Sequence, residues 1–183
     1  MLFYLFAGAE IDELWERLGY RYDDGLIARN VAYYTERTSH GSTLSSVVRA
    51  WVLARMDRQR SWQFFKRALA SDLSDVQRGT TREGIHLGAM AGAVDLVQRG
   101  FLGLRTQDGH LLFNPVLPRE LGSIDARLQH RGSLIAVNVS DGVIRLSRRG
   151  EERGEVPIAI RAGDVDEHFT MGPGERREVD LRR

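Results

Sequence analysis

The spacing of apolar residues changes once along this chain, near Gly100, from every third or fourth residue to every second. The first period fits an α-helix and the second a pleated strand, so the switch restricts the fold more than any single motif does. Residues 1 to about 99 read as helical and about 100 to 183 as an antiparallel β unit, giving an α+β chain. Apolar residues make up 42% of it, enough for a buried core, and neither the 28% of charged residues nor the net charge of +1 suggests disorder.

Five helices are predicted. The first, over 10–18, places Ile11, Leu14, Trp15 and Leu18 on one face and stops at Gly19. Asp23 or Asp24 can cap a second with Leu26, Ile27, Val31 and Tyr34 as its stripe. Ser42 or Thr43 can cap a third over 44–56, with Val47, Val48, Trp51, Val52 and Met56 inward. Ser61 starts a fourth carrying Trp62, Phe65, Leu69 and Leu73. A fifth over 85–98 is rich in small residues, including Gly88 and Gly92, which let neighbouring helices approach closely despite the cost in helix propensity.

Past Gly100, Asp108-Gly109 signals a hairpin between Leu104 and Leu111-Leu112-Phe113. Strands follow over 123–128, 134–139, 143–146, 156–160 and, weakly, 178–181. Arg131-Gly132, Asp141-Gly142 and Arg149-Gly150 supply turns between them.

Several functional classes drop out. Balanced charge gives no reason to expect nucleic acid as a partner, although arginine supplies nearly all the positive charge and Lys66 is the single lysine. With no cysteine there are no disulfides, thiolate metal sites or thiol nucleophiles, and a cytoplasmic, reducing location is expected. The apolar opening over 1–8 is too short to span a bilayer and lacks the basic flank of a signal peptide, so no membrane association is expected. A chain that opens within an apolar run also looks cut from something longer. No histidine pair has metal-ligand spacing with a third ligand at hand, and Walker and dinucleotide glycine patterns are missing. Reading His40-Gly41-Ser42 as a hydrolase motif needs a strand-to-helix elbow that its flanks do not supply. Glu10, Glu13, Glu16, Glu36 and Glu83 mostly sit on charged helix faces.

Two junctions share one pattern. Residues 37–45 (RTSHGSTLS) and 79–87 (GTTREGIHL) are polar, glycine-bearing loops that each carry a histidine into a helix start. Free backbone N–H groups and the positive end of the helix dipole suit such junctions to an anion. Capped helix starts with an ordinary hydrogen-bonded histidine would leave the same residues. If the two helices are neighbours with parallel starts, both ends can face one oxyanion.

Tyr33-Tyr34 followed by residues 37–45 resembles a signature segment of glycoside hydrolase family 65, which includes the trehalose, maltose and kojibiose phosphorylases. The likeness continues in order through Asp72-Leu73-Ser74-Asp75, Gly84-Ile85-His86-Leu87, Gly100-Phe101-Leu102-Gly103-Leu104, Asp108-Gly109, Phe113-Asn114-Pro115-Val116-Leu117-Pro118 and Arg131-Gly132. It covers most of residues 1 to about 140 and resembles the carboxy-terminal portion of the family only. The resemblance implies helices from the end of an (α/α)6 barrel over 1–99, followed by a small antiparallel β-sandwich domain over 100–183.

It also implies inverting phosphorolysis of an α-linked disaccharide to glucose 1-phosphate, with inorganic phosphate as co-substrate and neither cofactor nor metal. A glutamic acid protonates the glycosidic oxygen while phosphate attacks the opposite face of the sugar. Carried over by motif, His40, Gly41, Ser42, Thr43, Gly84 and His86 are the phosphate-binding residues. No glutamate here matches the family's acid, which lies upstream of the Tyr-Tyr segment, so no residue is assigned as catalytic and the chain alone is expected to be inactive. Helices deprived of barrel neighbours would expose apolar stripes, so self-association, or pairing with a separate upstream half as a two-chain enzyme, is expected. A non-catalytic carbohydrate-binding or scaffold module is the alternative, weakened because all three tryptophans lie in the helical part.

Overall fold

The computed structural model describes the chain apart from residues 1, 2, 4–7, 21, 22, 24, 39–41, 55, 76–78, 80, 81, 83, 151–153 and 183. It divides into two compact units, Met1–Leu96 and Val97–Arg183. The first contains helices α1 (Gly8–Arg17), α2 (Leu26–Arg37), α3 (Thr43–Leu53), α4 (Arg58–Leu69) and α5 (Leu87–Asp95). A π-helix, Leu96–Phe101, runs on from α5. No helix among the described residues is long and apolar enough to cross a membrane.

Local chemistry moves several predicted boundaries. The fourth helix starts three residues before Ser61, at Arg58, because the Asp57 carboxylate accepts the Arg60 N–H at 3.0 Å and caps it there. Ser61 is buried inside α4, where its hydroxyl donates to the Ala50 carbonyl at 2.6 Å and ties α4 to α3. At α2 the N-cap is Gly25, whose N–H donates to Asp23 Oδ1 at 2.9 Å; Asp24 lies outside the described residues.

The helical core runs through Val47, Ala68 and Ala89, one from each of α3, α4 and α5, with Met90 packed against it. Small residues set this contact. A Cβ placed on Gly92 would lie 2.6 Å from Val47 Cγ1, and one on Gly88 would lie 3.4 Å from Leu44 Cδ2. Val47, Ala50 and Leu53 form the buried face of α3, whereas Met56, predicted inward, lies beyond its end and is exposed. Leu18, Tyr34, Leu69 and Leu73 are exposed as well. Helical periodicity identifies a stripe, but the neighbours present decide which part of it is covered.

The second unit holds two four-stranded sheets, in the orders β1-β2-β6-β7 and β3-β4-β5-β8. Their strands are β1 (Arg105–Gln107), β2 (His110–Phe113), β3 (Ser123–His130), β4 (Ser133–Ser140), β5 (Val143–Arg149), β6 (Val156–Ala162), β7 (Val165–Met171) and β8 (Arg176–Asp180). Asp108-Gly109, Arg131-Gly132 and Asp141-Gly142 are two-residue hairpin turns with positive φ at both residues, 49° and 79° in the first. That geometry matches strand twist and favours Asp-Gly. Along β4, Ser133, Ile135, Val137 and Val139 point inward while the residues between them are half-exposed.

Two features depart from the sequence reading. The unit is not wholly antiparallel, because β2 and β6 pair in parallel with Leu111 opposite Ile158. The chain completes β3, β4 and β5 in the other sheet before β6 returns beside β2, so no hairpin imposes an antiparallel partner on β2 there. The strand β7 is an addition to the predicted set. Its segment VDEHFTM is too polar for apolar alternation to reveal, and Gly163-Asp164 before it, with φ 59° at Gly163, is the turn signal that marks it.

One strand-end residue makes the β unit sensitive to acid. His130 Nε2 is buried and has no hydrogen-bond partner among the described residues. Burial, and then the adjacent Arg131 cation, hold its pKa below the usual histidine value. As pH falls through about 6.5, the unfolded chain takes up a proton that folded His130 resists, so stability declines toward the folded pKa. Asp166 and Glu175 in the same unit, both held below the usual carboxylate range, add losses in the same direction at lower pH. In urea titrations followed by circular dichroism, the unfolding midpoint should fall between pH 7 and 5, and His130→Gln should flatten that interval. An unchanged slope in the variant would assign the loss to other groups.

Candidate phosphate-binding junctions

The starts of α3 and α5 lie side by side. Leu44 meets Gly88, and one turn further on Val47 meets Gly92, so the contacts advance along both helices together and the two run parallel. Thr43 and Leu87, the first residues of each helix, directly precede the first of these contacts. Two positive helix ends are thereby brought together, with the N–H groups of Ser45, Leu87 and Ala89 already bonded to the Ser42, Ile85 and His86 carbonyls.

Ser42 caps α3, its Oγ accepting the Leu44 N–H at 3.3 Å. Thr43 follows as the first helical residue. His40 and Gly41 lie outside the described residues. At the second junction Gly84 has φ 108°, which L side chains rarely adopt, and its surroundings are open, so backbone conformation rather than space calls for glycine. His86 occupies the N-cap of α5.

His86 is held by Asp72, in the turn after α4. The carboxylate accepts the His86 backbone N–H at 3.1 Å through Oδ2, and its Oδ1 lies 2.5 Å from His86 Nδ1. Both side chains are largely covered. A proton on Nδ1 directed at Asp72 leaves Nε2 as the ring's outward polar atom, an acceptor when neutral and a donor when protonated. Asp72 therefore both anchors the residue that opens α5 and orients the histidine. Motif reasoning does not reach it as a site residue, although the Asp72-Leu73-Ser74-Asp75 segment contains it.

A second support acts on the first junction. Arg49, buried in α3, donates through Nη2 to the Thr35 carbonyl at 2.9 Å and the Thr38 carbonyl at 3.2 Å. It ties down the last turn of α2 and the chain leading toward Ser42. Burial, followed by repulsion from Arg67 and Arg60, lowers its pKa from the usual arginine value. Arg37 instead lies over the Tyr33 ring at 3.9 Å and donates to the Tyr33 carbonyl.

A general acid for glycoside cleavage needs a pKa raised toward neutrality. Glu13, Glu16 and Glu36 are exposed, while the side chains of Glu10 and Glu83 lie outside the described residues. Glu175, in the β unit, has its pKa lowered by the Gly172 N–H that it accepts. Among the described glutamates none is placed as such an acid.

A helical unit with paired helix starts is thus followed by a unit of two four-stranded sheets. Residues 1–95 match the glycosyl hydrolase family 65 central catalytic domain, and residues 104–165 match the family 65 C-terminal domain. The chain belongs to glycosyl hydrolase family 65. It is 42% identical over 161 residues to the uncharacterized glycosyl hydrolase Rv2006 of Mycobacterium tuberculosis, covering 88% of this chain and 12% of that protein. It is 30% identical to the trehalose 6-phosphate phosphorylase of Lactococcus lactis over all 183 residues, 23% of that enzyme. A solved chain whose name places it among kojibiose phosphorylases, from human microbiome, superposes with a TM-score of 0.68 at 21% identity, covering 86% of this chain and 22% of the other. The chain thus spans between an eighth and a quarter of the length of these proteins.

Proposed function

We propose that this chain supplies the phosphate side of an inverting disaccharide phosphorylase, which cleaves an α-glucoside with inorganic phosphate to give glucose 1-phosphate. The observation that carries this reading is the side-by-side, parallel start of α3 and α5. Phosphate sits between His40, Gly41, Ser42 and Thr43 on one side and Gly84 and His86 on the other. Helix-end N–H groups stabilise the dianion, and the two histidines supply ring donors. Phosphate oxygen attacks the anomeric carbon and the glycosidic bond breaks, its oxygen taking a proton from a glutamic acid outside this chain. No second base is required, since the nucleophile is already an anion.

The exposed apolar residues around this site support a partner. Ile85 and Leu87, on either side of His86, are 70% and 74% exposed, and Leu73, beside Asp72, is 88% exposed. Burying such side chains stabilises at about 25 cal/mol per Å² of apolar surface. Another barrel segment, or a second copy of the chain, covers them.

Titration of phosphate into the purified chain, followed by amide chemical shifts, tests the site. Saturable shifts should concentrate at residues 42–45 and 84–88 and should weaken about tenfold or more in His40→Ala and in His86→Ala, since a charge-assisted hydrogen bond contributes roughly 1.5–3 kcal/mol. An equal response in all three proteins, or none in any, removes the assignment.

A further inference from the structure

The outer face of the β3-β4-β5-β8 sheet carries a cavity that the phosphorolysis site does not use. Strand alternation turns Ala136 and Asn138 of β4, and Arg145, Ser147 and Arg149 of β5, away from the core. In register, Arg127, Ala136, Ser147 and Arg176 form one row across the four strands. Small side chains in the middle of the row and arginines at both ends make a floor with cationic walls. The resulting open cavity has a volume of about 720 Å³, within the size range of small-molecule sites.

The exposed arginines on this sheet divide into two groups. Arg145 is paired with Glu178 at 2.9 Å, Arg177 with Glu175 at 2.7 Å and Arg182 with Asp180 at 2.9 Å. Arg127, Arg149 and Arg176 are exposed and have no carboxylate partner among the described residues. Two of these three share one spot. Ser147 lies directly opposite Arg176, and Arg149 is two residues further along β5 on the same face. The trio also borders a second cavity, of about 330 Å³, so it stands on the rim between the two. Two guanidinium forks and a hydroxyl around one point match the oxygens of a tetrahedral dianion.

The remainder of the larger cavity has a different character. Asp125 and Asn138, bonded to each other at 3.0 Å, and the Arg145–Glu178 pair line the neighbouring row. Carboxylates there repel a second anionic group but accept hydrogen bonds from hydroxyls. That combination disfavours a nucleic acid or an acidic peptide and favours a neutral, hydroxylated body carrying one phosphate. We infer that this face binds a phosphate monoester of sugar size, its phosphate held by Arg149, Arg176 and Ser147 and its hydroxyls by the Asp125–Asn138 row. The inference is independent of the phosphorolysis reading, because it uses no residue of the helical unit.

Calorimetric titration of the purified chain with glucose 6-phosphate, inorganic phosphate and glucose tests it. Glucose 6-phosphate should bind saturably at about 0.15 M salt and more tightly than either of the others. The double variant Arg149→Gln/Arg176→Gln should weaken it about tenfold or more. Arg161→Gln, a charge loss on the other sheet, should leave it unchanged, and circular dichroism should report the same fold for every variant. An unaltered affinity in the double variant overturns the proposal. So does an inorganic phosphate affinity equal to the ester's when both are read from the amide shifts of residues 147–149 and 176, since the hydroxyl row would then contribute nothing. Loss of affinity in His86→Ala with none in the double variant would place the ester at the helix junctions instead.

Discussion

Incubated with phosphate and maltose, trehalose or kojibiose, the 183-residue chain should release no measurable glucose 1-phosphate. The reason is the acid. A proton delivered to the glycosidic oxygen accelerates cleavage by about a hundred- to ten-thousand-fold, and positioning of the sugar adds further factors. None of the described glutamates is set up to deliver that proton. Glu13, Glu16 and Glu36 face solvent, and Glu175 is held ionised by the Gly172 N–H and by Arg177. A bound phosphate, even well placed, then faces a leaving group that must depart as an alkoxide.

Supplying the remainder of a family 65 catalytic domain as a second polypeptide should restore turnover and cover the exposed Leu73, Ile85 and Leu87, with a fall in any light scattering due to self-association. Coupled detection of glucose 1-phosphate, with light scattering on the same samples, reads both outcomes. Turnover by the chain alone at a rate comparable with the mixture would mean that one of its own carboxyl groups serves as the acid.

Legibility from sequence differs with the range of the interactions involved. The helices and most strands follow from periodicity, and three Asp-Gly or Arg-Gly turns fix three hairpins through backbone geometry alone. These signals are local. What stays hidden depends on neighbours distant in the chain. Leu73 and Tyr34 continue apolar stripes, yet both are exposed. The parallel pairing of β2 with β6 joins segments more than forty residues apart. Ser61, expected to start the fourth helix, is a buried cross-link inside it because Asp57 caps the helix first.

The site is readable in the same uneven way. Ser42 and His86 do stand at helix starts, as their surrounding residues suggest. The two residues that steady those starts, Asp72 and Arg49, act across 14 residues or close to it, beyond what a loop pattern records. His40 and Gly41 fall outside the described residues, so the phosphate titration decides their role.

Gly92→Ala should destabilise the helical unit by about 1–2 kcal/mol, although alanine is the better helix former by roughly 0.8–1 kcal/mol. Opposing that gain is a Cβ 2.6 Å from Val47 Cγ1, and valine cannot swing clear because its branched side chain has one favoured rotamer in a helix. The backbones of α3 and α5 must then separate. All three tryptophans, Trp15, Trp51 and Trp62, lie in the helical unit, so fluorescence-detected urea unfolding reports on it alone.

Val47→Ala makes room for the new methyl group at the expense of a small void. The double variant should therefore lose less than the sum of the single losses, with a coupling of about 1 kcal/mol. Because the same contact aligns the two helix starts, Gly92→Ala should also weaken the phosphate response at residues 42–45 and 84–88, and Val47→Ala should recover part of it. Strict additivity of the two stability losses would show that the close approach at Gly92 does not set the spacing of α3 and α5. The alignment on which the phosphate pocket rests would then need another cause.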